Sequence, residues 1–452
     1  MAFFDIIMLM NQQIVTRFAP SPTGHMHTGS YRTAFFSYLY AKRHGGKFIL
    51  RIEDTDKERS KPEYTDEIFN VFETIGISYD EKYIQSENLP RHRELLQKMI
   101  SEDTAYISRE EAKDGSGVLK DIIRFRNPGK VVVFEDLIRG PIATDTTDLG
   151  DFVLAKNIDE PLFHLAVVID DHDEGVTHVI RAEEHIANTP RQILIHEALG
   201  FAIPRYAHLP LVLAPDKAKM SKRKGAIPVV EYLERGYLPA ALLNSICLCG
   251  WNPGTEQELF TRQELESAFD LDKVQKAGAV FNEEKLNWFN REYVKLLTLE
   301  EKKKSIREYL PESMKNISDE LLAKLVPIIT ERINVFGEIA EMATSGELGY
   351  FTERPDVDMT KIFWKTDTPE DTKKHLTEAL VIMDTIDESL WNAASVKAAL
   401  WPYAESVGRG SVLWPIRFAL SGRDKSPDPF ELAGIFGKQE TISRITDICA
   451  KF

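Results

Sequence analysis

Cysteine is scarce in this chain of 452 residues, which contains only Cys247, Cys249 and Cys449. Cys247 and Cys249 fall in an apolar segment with helical spacing that turns their side chains apart, and no histidine or further cysteine clusters beside them. This spacing is not that of a zinc site. We therefore expect buried, reduced thiols in a cytoplasmic protein.

Long apolar runs are also missing, and no stretch of the sequence approaches the roughly 18 apolar residues that cross a membrane. The first ten residues, MAFFDIIMLM, are apolar, but they include Asp5 and have neither a basic start nor a small-residue cleavage site. A signal peptide is therefore not indicated. We interpret residues 1–13 as an extension, for which Met8 and Met10 are alternative starts, and expect no membrane partner.

An excess of positive charge is absent as well, because 56 Lys and Arg against 71 Asp and Glu leave a net charge of −15. An acidic protein binds RNA only where its basic residues are concentrated on one face, so the composition argues mildly against a nucleic-acid partner. Hydrophobic residues make up 43% and charged residues 28%, as in ordinary globular proteins. The length exceeds that of one hydrophobic core and predicts two or three domains.

One stretch organises the rest of the sequence: Arg17 to Ser30, which reads RFAPSPTGHMHTGS. It begins as a strand, turns at its prolines and a glycine, and enters a segment with helical spacing. The unpaired N–H groups and the positive end of such a helix form an anion-binding corner. His25 and His27 can donate hydrogen bonds to phosphate oxygens there, and Gly29 leaves room for a flat ring.

An ordinary strand–turn–helix of an α/β fold has the same local pattern. A second, basic stretch far along the chain favours the functional interpretation. It reads KAKMSKRKG from Lys217 to Gly225, and it follows the apolar run from His208 to Ala214. Its charge suits a pyrophosphate leaving group.

Two of these motifs, PTGHMHTG and KMSKR, resemble the two signatures of class I aminoacyl-tRNA synthetases. The surrounding RFAPSPTG, RTA and LRIEDTD are similar to the glutamyl branch of that class, whereas the glutaminyl branch is expected to read closer to PPEPNG at residues 19–24. Further matches run from VVIDDHDEGVTHVIRAEEHIANTPRQILIHEALG to LWPIRFALSGRDKSPDPFELAGIFGK. The resemblance covers nearly the whole chain, from residue 14 to its terminus.

The resemblance implies an α/β Rossmann-type catalytic domain with an inserted acceptor-binding subdomain, followed by an all-α C-terminal anticodon-binding domain of bacterial type. The resulting domain assignment is 14–105 and 148–227 for the catalytic domain, 106–147 for the acceptor-stem-binding insertion, 228–298 for a stem-contact helical region, and 299–452 for the anticodon-binding domain. Many relatives hold zinc in the insertion. The matching segment here, Tyr106 to Val118, has no cysteine, so no zinc is expected.

The implied activity is the ATP-dependent ligation of L-glutamate to tRNA-Glu. The glutamate α-carboxylate attacks the α-phosphorus of ATP, pyrophosphate leaves, and the terminal ribose hydroxyl of the tRNA then takes the glutamyl group from the adenylate. Mg²⁺ is expected with the ATP phosphates, held by them more than by the protein. The enzyme is expected to bind both the acceptor stem and the anticodon of the tRNA, and to be a monomer, as is usual in the family.

Neither step needs a protein nucleophile, but both need in-line positioning and neutralisation of charge on the phosphates. The resemblance assigns these tasks residue by residue. Catalysis is assigned to His27, Lys219, Lys222 and Arg223. ATP binding is assigned to His25, His27, Gly29, Ser30, Glu184, His185, Met220 and Lys222. Glutamate binding is assigned to Arg17, Ala19, Ser21, Glu53, Phe163 and Arg181.

Three of the assigned charges also have a physical reason to be there. Glu53 follows a buried strand, and an ammonium group needs a carboxylate partner in a desolvated pocket. Arg17 and Arg181 both lie at carboxyl ends of strands, where two guanidinium groups repel each other unless an anion lies between them. A dicarboxylic amino acid supplies that anion. Taken singly, each arginine is more simply explained as a surface ion pair.

Two positions depart from the family pattern. Phe163 replaces the usual tyrosine, which removes one possible hydrogen bond to the substrate and leaves the packing role. Ser30 replaces the usual last histidine of the first signature. Because the glutamyl branch often has a small or polar residue there, we do not interpret Ser30 as a loss of activity.

Other segments carry predictions about secondary structure. Residues 118–147 have the pattern of β-hairpins, with basic residues that either contact phosphates or form a solvated face: Arg124, Arg126, Lys130 and Arg139. Asp151 to Lys156 is predicted as a strand with which the catalytic half-domain resumes. After Leu299 amphipathic helices dominate, one of them continuous from Ser318 to Met342.

Several alternatives stay open from the sequence. APSPTG and the helical C-terminus argue against a glutaminyl enzyme, and the long C-terminal region argues against the tRNA-modifying paralogue that glutamylates queuosine. A nucleotidyltransferase of the same fold without an RNA substrate is disfavoured by Arg17, Glu53 and Arg181. An inactive binding protein would not need the basic and glycine residues of both signatures. A non-discriminating enzyme, which also glutamylates tRNA-Gln, cannot be distinguished by motif.

Overall fold

The computed structural model describes residues 13–111, 118–218 and 227–452. The chain divides into two compact units, one ending at Phe289 and the other running from Asn290 to Phe452. The described strands all belong to the first unit. In chain order they are β1 (Val15–Phe18), β2 (Lys47–Ile52), β3 (Glu81–Ile84), β4 (Ala105–Glu111), β5 (Leu119–Phe125), β6 (Val131–Asp136), β7 (Gly140–Asp145), β8 (Val153–Asn157), β9 (Glu160–Pro161), β10 (His178–Ala182), β11 (Arg205–Leu209), β12 (Val212–Leu213) and β13 (Ala279–Val280).

The helices of the first unit connect these strands and continue beyond the last of them. They are α1 (Thr28–Arg43), α2 (Pro62–Ile75), α3 (Leu89–Ser101), α4 (Phe163–Asp173), α5 (Thr189–Leu199), α6 (Val229–Glu234), α7 (Pro239–Leu248) and α8 (Arg262–Ala268), with α9 (Glu283–Leu296) at the division between the units. No helix in the described ranges is long and apolar enough to cross a membrane.

A seven-stranded sheet in the order β3-β2-β1-β10-β11-β6-β7 forms the centre of the first unit. Its neighbours run parallel except for the antiparallel pair of β6 and β7. All four residues of β1 are buried, and so are residues 48–52 of β2, because helices cover the faces of a parallel sheet. This architecture confirms the predicted Rossmann-type α/β fold.

A separate antiparallel sheet in the order β4-β5-β8-β9 lies outside this centre. The strand predicted at residues 151–156 is present as β8, and it belongs to this separate sheet rather than to the parallel one. β8 pairs with β5, with Ile123 opposite Ala155, and the rings of Phe125 and Phe152 stack with centroids 4.9 Å apart. The residues predicted as an insertion divide between the two sheets, since β6 and β7 extend the seven-stranded sheet at its edge.

The second unit consists of helices joined by turns, as predicted for the C-terminal domain. Its helices are α10 (Leu299–Tyr309), α11 (Asp319–Arg332), α12 (Glu338–Thr344), α13 (Pro369–Asp384), α14 (Ala393–Val407), α15 (Arg409–Ser421) and α16 (Pro429–Cys449). The side chains of Leu322, Ile329, Leu376, Leu400 and Ile445 are among those that form its buried interior. Gly437 interrupts α16 with a φ of 79°, a left-handed conformation that favours glycine.

One helix of the second unit is shorter than predicted. The continuous helix expected from Ser318 to Met342 is wrong, because α11 ends at Arg332 and α12 begins only at Glu338. The Glu338 carboxylate accepts a hydrogen bond from the Asn334 backbone N–H at 2.8 Å, while Phe336 turns into the interior. The amphipathic spacing continues across this break, which is why the periodicity did not reveal it.

Candidate active site

The carboxyl ends of β1 and β10 meet at the centre of the seven-stranded sheet. From β1 the chain winds outward through β2 and β3, whereas from β10 it winds in the other direction to β11. Open α/β sheets bind their ligands in the crevice at such a switch point. A cavity of about 490 Å³ opens at this place.

The cavity gathers the predicted site residues that belong to the described ranges. Its lining includes Arg17, Ala19, Ser21, His25, His27, Gly29, Ser30, Glu53, Phe163, Arg181, Glu184 and His185. The remaining predicted residues lie outside the described part of the chain: Lys219, Met220, Lys222 and Arg223. The structure thus brings the first signature and the strand ends together, and the individual roles stay predictions.

The amino end of α1 forms one wall of the cavity. His27 precedes the helix, and its Nδ1 accepts a hydrogen bond from the Gly29 N–H at 3.2 Å. The first turn of α1 has no acidic residue, so its N–H groups and the helix dipole favour an anion there. His25 already has a partner within the protein, since its Nδ1 lies 2.5 Å from Glu67 Oε2.

Arg17 reaches the opposite wall from β1. Its Nε donates to Asp171 Oδ1 at 3.0 Å, and both groups are almost fully buried. Asp171 belongs to α4, so an ion pair between the sheet and the helix behind it holds the guanidinium group. The two Nη groups of Arg17 have no hydrogen-bond acceptor among the described residues. They remain available to an anion in the cavity.

Arg181 occupies the corresponding position on β10. Its Nη2 donates to Thr189 Oγ1 at 2.8 Å, its Nε donates to His208 Nε2 at 3.2 Å, and its guanidinium carbon lies 5.3 Å from the centre of the Tyr206 ring. Burial lowers the pKa of Arg181 to about 10, so the group stays charged at neutral pH. Because Nη1 has no acceptor among the described residues, Arg181 presents an uncompensated charge to the cavity.

Arg51 lies behind the cavity and was not identified from the sequence. Its side chain has no exposed surface, and it donates to three carboxylates: Glu174 Oε2 at 2.7 Å, Asp171 Oδ1 at 2.8 Å and Glu53 Oε1 at 3.2 Å. The same Asp171 oxygen accepts from Arg17. Arg51 therefore connects Arg17 and Glu53, which both line the cavity.

The carboxylates around Arg51 compete for one cation. Burial raises the pKa of Glu53, against the attraction of Arg51 and Arg17. Burial also raises the pKa of Glu174 to about 8, with a further contribution from the negative charges of Asp171 and Asp170. With this pKa, the Glu174 carboxyl is largely protonated at neutral pH.

We expect a Glu174→Gln variant to lose part of the pH dependence of stability. A carboxyl whose pKa rises on folding, here from 4.5 to about 8, binds more protons in the folded state between these values. Stability should therefore fall as pH rises through this window in the wild type, and fall less in Glu174→Gln. Urea midpoints between pH 5 and 8 measure this, with exposed Glu63→Gln as the control. Equal slopes in wild type and Glu174→Gln would refute it.

The helical side of the cavity is less polar. Phe163 begins α4 and is 38% exposed toward this space, with its ring centre 5.8 Å from that of His185. Burial lowers the pKa of His185 to about 4, so this imidazole is neutral and can accept as well as donate a hydrogen bond. A flat, uncharged surface of this kind suits a base or the carbon chain of a substrate.

The basic residues of the β-hairpins have partners within the protein. Arg124 pairs with Glu110, Arg126 with Asp103, Lys130 with Glu197, and Arg139 with Glu183. These ion pairs are typical of a solvated sheet face. They leave the predicted contact with an RNA acceptor stem without direct structural support.

Three groups around the site were not predicted from the sequence: Arg51, Asp171 and the pair of Asp136 and His208. The sequence held one sign of these groups. Asp170 and Asp171 directly follow the apolar run AVVI, and residues 165–171 of this helix are all buried. Asp170 is fixed by His92 at 2.7 Å and by two side-chain amides. Charged residues in such positions need partners, but the sequence does not reveal which ones.

Metal ligands are not grouped in the described ranges. No set of three or more His, Cys, Asp and Glu side chains there could hold a metal ion. The cavity wall itself includes two carboxylates, Glu53 and Glu184, of which Glu53 is paired with Arg51.

Comparisons with known proteins agree with this arrangement. The family model described as "tRNA synthetases class I (E and Q), catalytic domain" matches residues 13–114 and 107–288, and the model described as "Anticodon binding domain" matches residues 297–449. The glutamate–tRNA ligase 1 of Acidithiobacillus ferrooxidans is 38% identical over 95% of this chain and 98% of its own length. The glutamate–tRNA ligase of Aquifex aeolicus is 44% identical over 70% of each chain.

Solved structures show the same likeness over the whole chain. A glutamate tRNA ligase from Elizabethkingia meningosepticum, crystallised in complex with its amino acid, superimposes with a TM-score of 0.86 at 32% identity. The match covers 97% of this chain and 99% of that one. A glutamate-tRNA synthetase from Elizabethkingia anophelis gives a TM-score of 0.83 at 31% identity, covering 97% and 100%.

Proposed function

This chain belongs to the class I tRNA synthetases of the glutamate and glutamine branch, and on that premise we propose that it ligates L-glutamate to tRNA-Glu at the expense of ATP. The observation that carries the proposal is one cavity lined by Arg17, Arg181 and Glu53 beside the amino end of α1. Two cations, one carboxylate and an anion-binding corner match an amino acid with two carboxylates next to a triphosphate.

The amino-acid end of the cavity would recognise two of the three charges of glutamate, the side-chain carboxylate and the ammonium group. The free Nη groups of Arg17 and Nη1 of Arg181 would bind the side-chain carboxylate between them, and Glu53 would bind the ammonium group. A neutral amide in place of the carboxylate would leave one buried guanidinium without a partner, which disfavours glutamine. Ala19, Ser21 and Phe163 would line the carbon chain.

The nucleotide end would place ATP for in-line attack by the α-carboxylate. The N–H groups of α1 and His27 would neutralise charge on the phosphates, and the adenine ring would lie against Gly29 near His185. Lys219, Lys222 and Arg223 are proposed to stabilise the leaving pyrophosphate, with Met220 beside the base. ATP would enter as its Mg²⁺ complex, with the phosphates as the principal ligands of the ion.

The second step would transfer the glutamyl group to the terminal ribose of the tRNA. A separate helical unit matching an anticodon-binding domain supports a second contact with the tRNA at its anticodon. We propose residues 106–147 as the acceptor-stem-binding insertion, 228–298 as the stem-contact region and 299–452 as the anticodon-binding domain. We also propose a cytoplasmic enzyme that acts as a monomer.

The assignment is tested by ATP–pyrophosphate exchange, with and without tRNA, followed by charging of purified tRNA-Glu and tRNA-Gln. We expect exchange with glutamate but not with glutamine, and charging of tRNA-Glu. Charging of tRNA-Gln as well would identify a non-discriminating enzyme. Glutamate-dependent exchange without any tRNA charging would instead favour a nucleotidyltransferase, and no glutamate-dependent exchange would refute the proposal.

Gly29→Ala is expected to raise the KM for ATP roughly tenfold and leave the KM for glutamate unchanged. A Cβ at this position would stand 3.1 Å from Cε1 and 3.2 Å from Nδ1 of His27, so the ring would have to move. Gly349→Ala is a matched control, because a Cβ there meets no atom within 4 Å. An unchanged KM for ATP in Gly29→Ala would contradict the placement of the nucleotide.

A further inference from the structure

A chain of buried hydrogen bonds holds Arg181 from the side that faces away from the cavity. His208 lies opposite Arg181 on the adjacent strand β11, and its Nε2 accepts from Arg181 Nε at 3.2 Å. His208 has no exposed surface and does not line the cavity. Any influence of His208 on a substrate must therefore pass through Arg181.

Asp136 fixes the other side of the His208 ring. Its Oδ2 lies 2.6 Å from His208 Nδ1, and this carboxylate is itself buried at the end of β6. Three backbone N–H groups donate to it: those of Ile138 at 3.0 Å, Arg139 at 2.9 Å and His208 at 3.1 Å. Burial by itself would raise the pKa of Asp136, but the hydrogen bonds from the His208 ring and from these backbone groups favour the ionised form and lower it.

The donors and acceptors of this chain allow one tautomer of His208. Arg181 Nε always carries a proton, so His208 Nε2 must offer its lone pair. The ring proton then resides on Nδ1 and is donated to Asp136. The opposite tautomer would set two N–H groups against each other in a dry interior. Thr189 completes the arrangement, because its Oγ1 accepts from Arg181 Nη2 at 2.8 Å.

We infer that Asp136 and His208 are positioning residues for substrate selection: together they fix the His208 tautomer that holds Arg181 by its Nε and leaves its Nη1 directed to the cavity. This inference rests on the proposed function, in which Arg181 binds the side-chain carboxylate of glutamate. Two bonded edges prevent the guanidinium group from rotating. Loss of this constraint would cost affinity for glutamate and discrimination against glutamine, but not affinity for ATP.

Asp136→Asn tests the tautomer with the smallest change in shape. A single amide oxygen cannot accept from both the backbone donors and the His208 ring, so one buried donor loses its acceptor or the ring adopts the wrong tautomer. We expect the KM for glutamate to rise about 10- to 100-fold, by analogy with the effect of removing the hydrogen-bond partner that orients a metal-binding residue. The KM for ATP should stay within about twofold.

Two variants at His208 separate the effect of its hydrogen bond to Arg181 from the effect of its packing in the interior. His208→Phe removes the acceptor and should reproduce the effect of Asp136→Asn. His208→Gln can place its side-chain oxygen where Nε2 was, accept from Arg181 Nε, and so recover most of the affinity for glutamate. Leu199→Ala, a buried apolar change at the end of α5 that removes none of these hydrogen bonds, controls for destabilisation alone.

The measurements are the KM for glutamate, the KM for ATP and the ratio of kcat/KM for glutamate and glutamine in ATP–pyrophosphate exchange. The inference is overturned if Asp136→Asn keeps the wild-type KM for glutamate, or if both KM values rise together as in Leu199→Ala. It is also overturned if His208→Gln is no better than His208→Phe. If His208→Phe does not fold, the KM for glutamate of Asp136→Asn is compared with that of His208→Gln instead. The inference is then overturned if His208→Gln is no better than Asp136→Asn. Absence of glutamate-dependent exchange in the wild type would refute the proposed function instead.

Discussion

Replacing Arg181 with alanine should raise the KM for glutamate in ATP–pyrophosphate exchange by roughly 100-fold, the equivalent of about 2.7 kcal/mol. Arg181 is buried, and its Nη1 faces the cavity without a protein acceptor among the described residues. A charge-assisted hydrogen bond to a carboxylate in such a desolvated place is among the stronger polar contacts in proteins. Arg181 is proposed to bind the side-chain carboxylate and not the reacting α-carboxylate, so kcat should change less than the KM.

The same variant should also narrow the preference for glutamate over glutamine. Without Arg181, an amide no longer leaves that cation unpaired, so the penalty against glutamine falls. Arg181→Lys retains the charge but loses the planar fork, and an intermediate KM is expected. Arg205→Ala is the matched control, an exposed arginine on β11 outside the cavity. A KM for glutamate within twofold of wild type in Arg181→Ala would remove Arg181 from the binding site.

Replacing Arg51 with methionine should lower the free energy of unfolding of the first unit by about 3–5 kcal/mol at pH 7. The side chain has no exposed surface and donates to three acidic side chains, those of Glu53, Asp171 and Glu174. Methionine fills much of the same volume but leaves these acids without their shared cation. The loss of stability therefore comes from buried, unpaired charge and not from a cavity in the packing.

Hydrogen–deuterium exchange of the amides in β1 and β2 measures this loss within the unit that contains Arg51. The loss should be smaller at pH 5 than at pH 8, because protonation relieves carboxyl groups that have lost their cation. Arg59→Met is the control: this arginine pairs with Asp56 at the surface, its side chain is 73% exposed, and a change within about 0.5 kcal/mol is expected. Equal protection of β2 in wild type and Arg51→Met would show that the carboxylates do not depend on Arg51.

Local sequence patterns located most of the elements that carry the site. The strand–turn–helix from Arg17 to Ser30 was predicted from its prolines, glycines and helical spacing, and it is present as β1, a turn and α1. The all-helical character of the second unit followed from amphipathic periodicity in the same way. These predictions succeeded because turn chemistry and side-chain periodicity depend on neighbouring residues.

Pairings between distant segments were beyond the reach of those patterns. The local pattern of residues 153–157 predicts a strand but does not name its neighbour, and only the structure shows that this strand pairs with β5. The break between α11 and α12 leaves the apolar spacing intact. The local pattern thus predicted the strand but not its neighbour, and it predicted helical residues but not the break between the two helices.

By itself the sequence determined the chemistry available to this protein: two signature segments, the arginines at strand ends, Glu53 and a helical C-terminal region. Only the tertiary structure decided how that chemistry is held. It placed Asp171 between Arg17 and Arg51, and it aligned His208 with Arg181 across two strands and with Asp136 across a third. The physical reason is that a buried charge must find its partner in space, and sheet order and register bring together residues that no local pattern connects.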